Sequence, residues 1–109
     1  MIIKKPSIFI YANEPDAAVV KEICAGIEEE GVFFELKEMD NTNLKELAWN
    51  AANDSMLGSG IGIRGTYIAL QMRGIEKNRP VESYQTPDKE QCRKLGANSA
   101  RAIKKLPFK

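Results

Sequence analysis

The chain has 109 residues, 43% apolar and 28% charged, which suits one folded domain, is too short for two cores and is too apolar for a disordered segment. Lys and Arg number 16 against 15 Asp and Glu, and the net charge of +1 excludes a globally basic nucleic-acid binder. Histidine is absent, so no Ser-His-Asp or Cys-His site and no histidine metal site can be assembled from this chain.

Ser7 to Tyr11 is a short β-rich run and the expected first strand. Asn13 can cap the helix that follows, with Pro15 in its first turn and Asp16 at its positive end. Val20, Ile23, Cys24 and Ile27 mark the apolar face of that helix. Glu28, Glu29 and Glu30 close it, and Gly31 suits the left-handed position after its end. Three acids at the negative end of a helix are each unfavourable by a few tenths of a kcal/mol, roughly. Something other than helix stability is therefore expected to hold them there.

Val32 to Leu36 reads as strand two. Asn43 and Glu46 have capping-box spacing before a second helix, whose inner face is Leu44, Leu47, Ala48, Ala51 and Ser55. Trp49 lies off that stripe, either on the flank of the core or exposed for a partner. Gly60 to Arg64 reads as strand three and Thr66 to Met72 as strand four. Gly65 between them calls for a tight hairpin, hence an antiparallel pair. Val81 to Tyr84 is a short fifth strand. Thr86-Pro87 has the pattern of an N-cap with Pro in the first helical position. The third helix buries Cys92, Leu95, Ser99, Ala102, Ile103 and Leu106, and Lys104, Lys105 and Pro107 end it.

The order β-α-β-α-β-β-β-α argues for an α/β fold in one domain over 1–109, with a largely parallel sheet and helices on its faces. Only the first six and last three residues look loose. Cys24 and Cys92, both on apolar helical faces and without metal or CxxC spacing, read as reduced core thiols. Lys4, Lys5 and Pro6 follow at once on Met1-Ile2-Ile3, so no leader is expected, and no apolar run approaches a membrane span. The expected location is the cytoplasm.

Gly60, Gly62 and Gly65 match G-x-G-x-x-G, but they lie within a strand and its turn instead of opening a helix. They read as positions of close packing and not as a dinucleotide site. No P-loop pattern is present. The Glu28–Glu30 run reads as a solvated helix end, or as the source of one carboxylate that completes a metal site supplied mostly by another chain. Residues 1–63 carry 5 basic and 11 acidic side chains, and residues 64–109 carry 11 basic and 4 acidic. Such asymmetry fits docking to a charged partner or neutralisation between the first helix and the C-terminal segment. The basic half lacks the aromatic platforms of a single-strand nucleic-acid binder. Gly96 in mid-helix costs about 1 kcal/mol against Ala, which close packing against the sheet or another protein would explain. Residue by residue, this is a compact α/β domain without an active site of its own.

Ile8-Phe9-Ile10-Tyr11, the stretch Glu22-Ile23-Cys24-Ala25-Gly26-Ile27-Glu28-Glu29-Glu30-Gly31-Val32, Gly60-Ile61-Gly62-Ile63 with Ile68-Ala69-Leu70, and Leu95-Gly96-Ala97-Asn98 with Ile103, Leu106 and Pro107 occur in that order over nearly the whole chain. Together they resemble the small subunit of the glycerol/diol dehydratase reactivating factor. The resemblance implies a three-layer α/β/α domain with a five-stranded mixed sheet, order 2-1-3-4-5, strand 4 antiparallel. It implies a non-catalytic subunit of a chaperone-like complex that frees damaged cobalamin from an adenosylcobalamin-dependent dehydratase by subunit exchange. The ATPase, with its Mg²⁺ and ATP or ADP, would belong to a large partner subunit, and this chain would bring no cofactor of its own. Within the E-E-x-G segment the resemblance gives Glu29 the role of reaching the metal of the large subunit. It places the interface at Glu28, Glu29 and Glu30 and at the Gly60, Gly62 and Gly65 segment. The expected partners are the large subunit and dehydratase subunits, with no nucleic acid and no membrane; association with a bacterial microcompartment stays open. The medium subunit of the dehydratase itself, normally a much longer chain, is the alternative. An RNA-binding module of anticodon-binding-domain topology is a further one, supported only by the basic C-terminal half.

Overall fold

The structure, a computed structural model, describes residues 5–109. Its elements are β1 (Ile8–Asn13), α1 (Ala17–Glu29), β2 (Phe34–Glu38), α2 (Leu44–Asp54), β3 (Ser59–Arg64), β4 (Tyr67–Met72), β5 (Glu82–Tyr84) and α3 (Lys89–Lys104). The five strands form one sheet in the order β2-β1-β3-β4-β5. β1 runs parallel to β2 and β3, whereas β4 is antiparallel to both β3 and β5. The α/β class, the strand order and the antiparallel fourth strand are those expected.

The strands alternate between two faces, as a period of two requires. Ile8, Ile10, Ala12, Ile61, Ile63, Ile68 and Leu70 turn to the face covered by α1 and α3, where Val19, Ile23, Ile27, Cys92 and Leu95 complete the main core. Tyr11 faces the other way, with Leu47 and Ala51 of α2 and the half-buried Phe9 and Met39. Tyr11 also donates from its hydroxyl to Asp54 Oδ2 at 2.6 Å, which ties the end of α2 to the sheet.

The glycines of β3 explain how α2 sits. A Cβ at Gly60 would stand 2.1 Å from the Ala52 backbone nitrogen, and one at Gly62 would stand 2.6 Å from that of Ala48. The α2 backbone therefore rests directly on β3. The Gly-Ile-Gly-Ile alternation is one close-approach face and one core face, as the close-packing reading expects. Gly65 opens the two-residue β3–β4 loop at φ +59°, the left-handed value that such hairpins need.

Several boundaries differ from expectation. α1 is capped by Asp16, whose carboxylate accepts from the Ala18 and Val19 amides at 3.0 and 3.1 Å, and not by Asn13. Asn13 stays in β1 and donates its side-chain amide to the Met39 carbonyl. β2 begins at Phe34, because the parallel register with β1 sets Ile8 opposite Phe34. At α2, Asn43 accepts from the Glu46 amide, but its own N–H donates to Asn41 Oδ1 and not to Glu46, so the box is half closed. α3 starts two residues later than a Thr86 cap would have it. Asp88 and Gln91 exchange side-chain bonds in a full capping box, which satisfies two helix-end donors at once. Lys105 adopts φ +58° and ends α3, so Leu106 leaves the helix and is exposed instead of buried.

The last three residues, expected to be loose, are tied down. Arg101 Nη1 donates to the Pro107 carbonyl at 3.0 Å, and the Lys109 amide donates to Asn98 Oδ1 at 2.8 Å. The same expectation for the N-terminus falls largely on residues 1–4, outside the described residues. Trp49 is half-buried on the flank of α2, with the Lys77 ammonium 4.8 Å above its ring. Both cysteines are free thiols, Cys92 buried and Cys24 half-buried.

Candidate functional site

α1 and α3 pack at unusually short range. A Cβ at Gly96 would lie 2.1 Å from the Ile23 carbonyl oxygen, and one at Gly26 would lie 2.2 Å from that of Arg93. Gly96 is thus explained by contact with α1, not with the sheet or a second protein. This contact carries the acidic face of α1 up to the basic face of α3.

The Glu28–Glu30 run lies at the end of α1. Glu30 caps the helix, its amide donating to the Ile27 carbonyl, and Gly31 at φ +72° turns the chain away. The three acids meet different surroundings. Glu30 is almost enclosed, its Oε2 lying 3.2 Å from Arg101 Nε and 3.5 Å from Lys109 Nζ. The Lys104 ammonium donates to the Glu30 carbonyl oxygen. These cations answer the helix-end penalty at Glu30. Glu29 is about half exposed and lies 3.5 Å from Arg93 Nε, while Nη2 of the same guanidinium makes a 2.8 Å bond to Glu22. Glu28 is exposed and has no ion pair among the described residues. The uneven charge along the chain is thus partly neutralised internally, Glu22, Glu29 and Glu30 meeting Arg93 and Arg101 of α3 and Lys109 of the tail.

The Glu28–Glu30 run reaches the surface mainly through Glu28 and Glu29. Two residues beyond Gly31, Phe33 is exposed at its ring, with the Lys5 ammonium 4.6 Å from the ring centre. Phe33 and Arg93 escaped the sequence reading. Phe33 fell inside an expected strand, and Arg93 meets its acids only across a helix pair.

The glycine segment lies elsewhere. Gly60 and Gly62 are buried under α2. Gly65 is at the hairpin tip, where its carbonyl accepts from the Asp16 amide at 2.9 Å. That places it beside the start of α1, whereas the acids close its end. A helix of 13 residues separates the two by about 20 Å. The structure does not gather the Glu28–Glu30 run and Gly65 into one patch.

Among the described residues, no three His, Cys, Asp or Glu side chains are grouped so as to hold a metal ion. Glu29 fits a more limited part. Its carboxylate is accessible, and hard cations such as Mg²⁺ take carboxylate oxygens readily while drawing their other ligands from phosphates and water. Glu28 and Glu29 are the acids of the run that this surface can offer as such a ligand. No helix among the described residues is long and apolar enough to cross a membrane. The thiols are not poised for chemistry. Burial, with the nearby Glu28 charge, pushes Cys24 up to about 11, and burial raises Cys92 as well.

The sequence profile of the dehydratase medium subunit family matches residues 5–109. The chain is 33% identical over 106 residues to the propanediol dehydratase-reactivating factor small subunit of Citrobacter freundii, covering 95% of this chain and 90% of that one. It is 30% identical over 105 residues to the protein of the same description from Salmonella typhimurium, again covering 95% and 90%. Among solved structures it is similar to a chain of diol dehydratase-reactivating factor complexed with ADP and Mg²⁺, with TM-score 0.90 and 28% identity over 97% of this chain and 99% of that one. It is also similar to a chain of glycerol dehydratase reactivase, with TM-score 0.91 and 29% identity over 96% and 97%. Sequence and fold agree over nearly the whole chain, which belongs to the dehydratase medium-subunit family, among the small subunits of dehydratase-reactivating factors.

Proposed function

We propose that this chain is the small subunit of a reactivating factor serving an adenosylcobalamin-dependent glycerol or diol dehydratase. The observation that carries the reading is the near full-length likeness, in sequence and in fold, to small subunits of such factors. In this reading the chain performs no catalysis. A large partner subunit holds ATP or ADP with Mg²⁺ and hydrolyses the nucleotide. The small subunit leaves that partner and changes places with a dehydratase subunit, which loosens the damaged enzyme and lets its dead cobalamin go. It works in the cytoplasm, in or beside a microcompartment where the host builds one.

Glu29 completes the coordination of the Mg²⁺ held by the large subunit, a role supported by its accessible carboxylate at the end of α1. Glu28 and the rim of Glu30 lie beside it in the same contact, and Gly65 forms a second one at the far end of α1. Gly60 and Gly62 act indirectly, by setting the height of α2 on the sheet.

The test is co-purification of the tagged chain with the large subunit of the reactivating factor, with and without ATP and Mg²⁺. A stable complex that ATP loosens is the expected result. The description of the matching family favours a second reading, a medium subunit of the dehydratase itself. Under that reading the chain would ignore the reactivase large subunit and join the dehydratase large subunit in an active holoenzyme.

A further inference from the structure

We infer that Arg93 is the exchangeable counter-ion of Glu29: it holds that carboxylate while the subunit is free and yields it to the partner's metal on assembly. The inference rests on the proposed role of Glu29 and adds the device that governs its availability. Arg93 crosses α1 above Gly26, where the missing Cβ admits its backbone. From there the guanidinium spans two turns of α1. It reaches back to Glu22, through Nη2 at 2.8 Å, and forward to Glu29, through Nε at 3.5 Å.

The two ends of this bridge are unequal. The Glu22 side chain is only 13% exposed and its bond is short, whereas that of Glu29 is 46% exposed and its contact is long. When Glu29 departs, Arg93 therefore keeps a well-placed partner and no buried charge is orphaned. Glu30 has no such freedom, being 10% exposed and held by both Arg101 and Lys109. Arg93 also lines an open groove of about 540 Å³ with Glu22, Lys89, Glu90, Lys94 and Lys109, so water can solvate whatever donors it frees. An Arg fork suits this task, because its several fixed donors serve two carboxylates at once, which the point charge of a Lys does not.

The experiment is a Mg²⁺ titration, in the presence of ADP, of assembly between the full chain and its large subunit. Because Glu29 no longer has to leave its counter-ion, Arg93→Gln lowers the Mg²⁺ midpoint about two- to fivefold, the equivalent of one exposed ion pair. Arg93→Lys, which keeps the charge and the Glu22 contact, lowers it in the same direction. Neither change moves the midpoint when Glu29→Gln is already present. Thermal melting of each free variant confirms that it is folded. Unchanged midpoints for both Arg93 variants, beside a raised midpoint for Glu29→Gln, would overturn the counter-ion and leave the metal role standing. An equal shift with and without Glu29 would also overturn it. A Glu29→Gln chain that assembles at the ordinary Mg²⁺ concentration would sink both together.

Discussion

Replacing Gly96 by Ala sets helix propensity against packing. In an isolated helix the change stabilises by about 1 kcal/mol. Here the new methyl would sit 2.1 Å from the Ile23 carbonyl oxygen and 2.9 Å from its carbon. A carbon and a carbonyl oxygen approach no closer than about 3.3 Å even in favourable contacts, so α1 has to retreat by about 1 Å. Both atoms that must move are backbone, so no side-chain rotation relieves the clash. A retreat of that size forfeits a quarter to a half of the dispersion well, roughly, for each contact it opens. The contacts at stake join Ile23 and Ile27 of α1 to Cys92 and Leu95 of α3 in the main core. Overpacking of this kind costs about 1–3 kcal/mol, and the upper end applies where backbone itself has to shift. Packing wins, and the expected net loss is about 2 kcal/mol, which lowers Tm by about 10 °C for a domain of this size. Circular dichroism melts and urea unfolding of the free chain measure it. A Tm equal to or above that of the wild type would show that propensity governs the site and would refute the close approach of α1 and α3.

The acids at the end of α1 should separate by role. Glu30→Gln strands Arg101 and Lys109 beside a nearly enclosed amide and should cost about 1–3 kcal/mol, between an exposed and a buried pair. Glu28→Gln on the open surface should stay within about 0.5 kcal/mol, and equal urea midpoints for the two variants would contradict this division. Stability should also decline in alkali. The Cys24 thiol is raised from 9.0 to about 11, so between those values the unfolded chain releases a proton that the folded chain keeps. Its contribution is whole below pH 9 and drains away as pH climbs through about 11. Urea midpoints at pH 8 and pH 10.5 should fall further apart for the wild type than for Cys24→Ala, and parallel declines would remove Cys24 as the cause.

Local patterns carried most of the fold. The β-rich runs at Ile8 and Gly60, the helical faces through Ile23 and Leu95, and Gly65 between two strands are short-range signals, and each element formed where its signal stood. Boundaries were less legible where two residues competed for one task. Thr86 and Asp88 both suit a cap, and the Asp88–Gln91 exchange decides because it satisfies two donors. The tail reads as loose because its anchors, Asn98 and Arg101, belong to a helix whose inner face reads as core. At the candidate site the acids were visible as a run at an unfavourable helix end. Their differences were not. Glu30 is enclosed and Glu29 half free because Arg93, Arg101 and Lys109 arrive from more than sixty positions away, through a helix contact that Gly26 and Gly96 permit only together. Gly96 is legible in the sequence as a costly mid-helix residue, and its counterpart Gly26, inside α1, carries the same signal.

Reactivation itself tests the assigned role most directly. The assembled complex of this chain with its large subunit is mixed with a glycerol- or diol-inactivated holodehydratase, ATP and Mg²⁺, and cobalamin passing a small-pore filter is measured. Cobalamin should be released only when ATP and both subunits are present, activity should return on addition of adenosylcobalamin, and this chain should be recovered bound to the dehydratase. Release by the large subunit alone at the same rate and extent, with this chain never leaving it, would contradict subunit exchange and with it the role assigned to the chain.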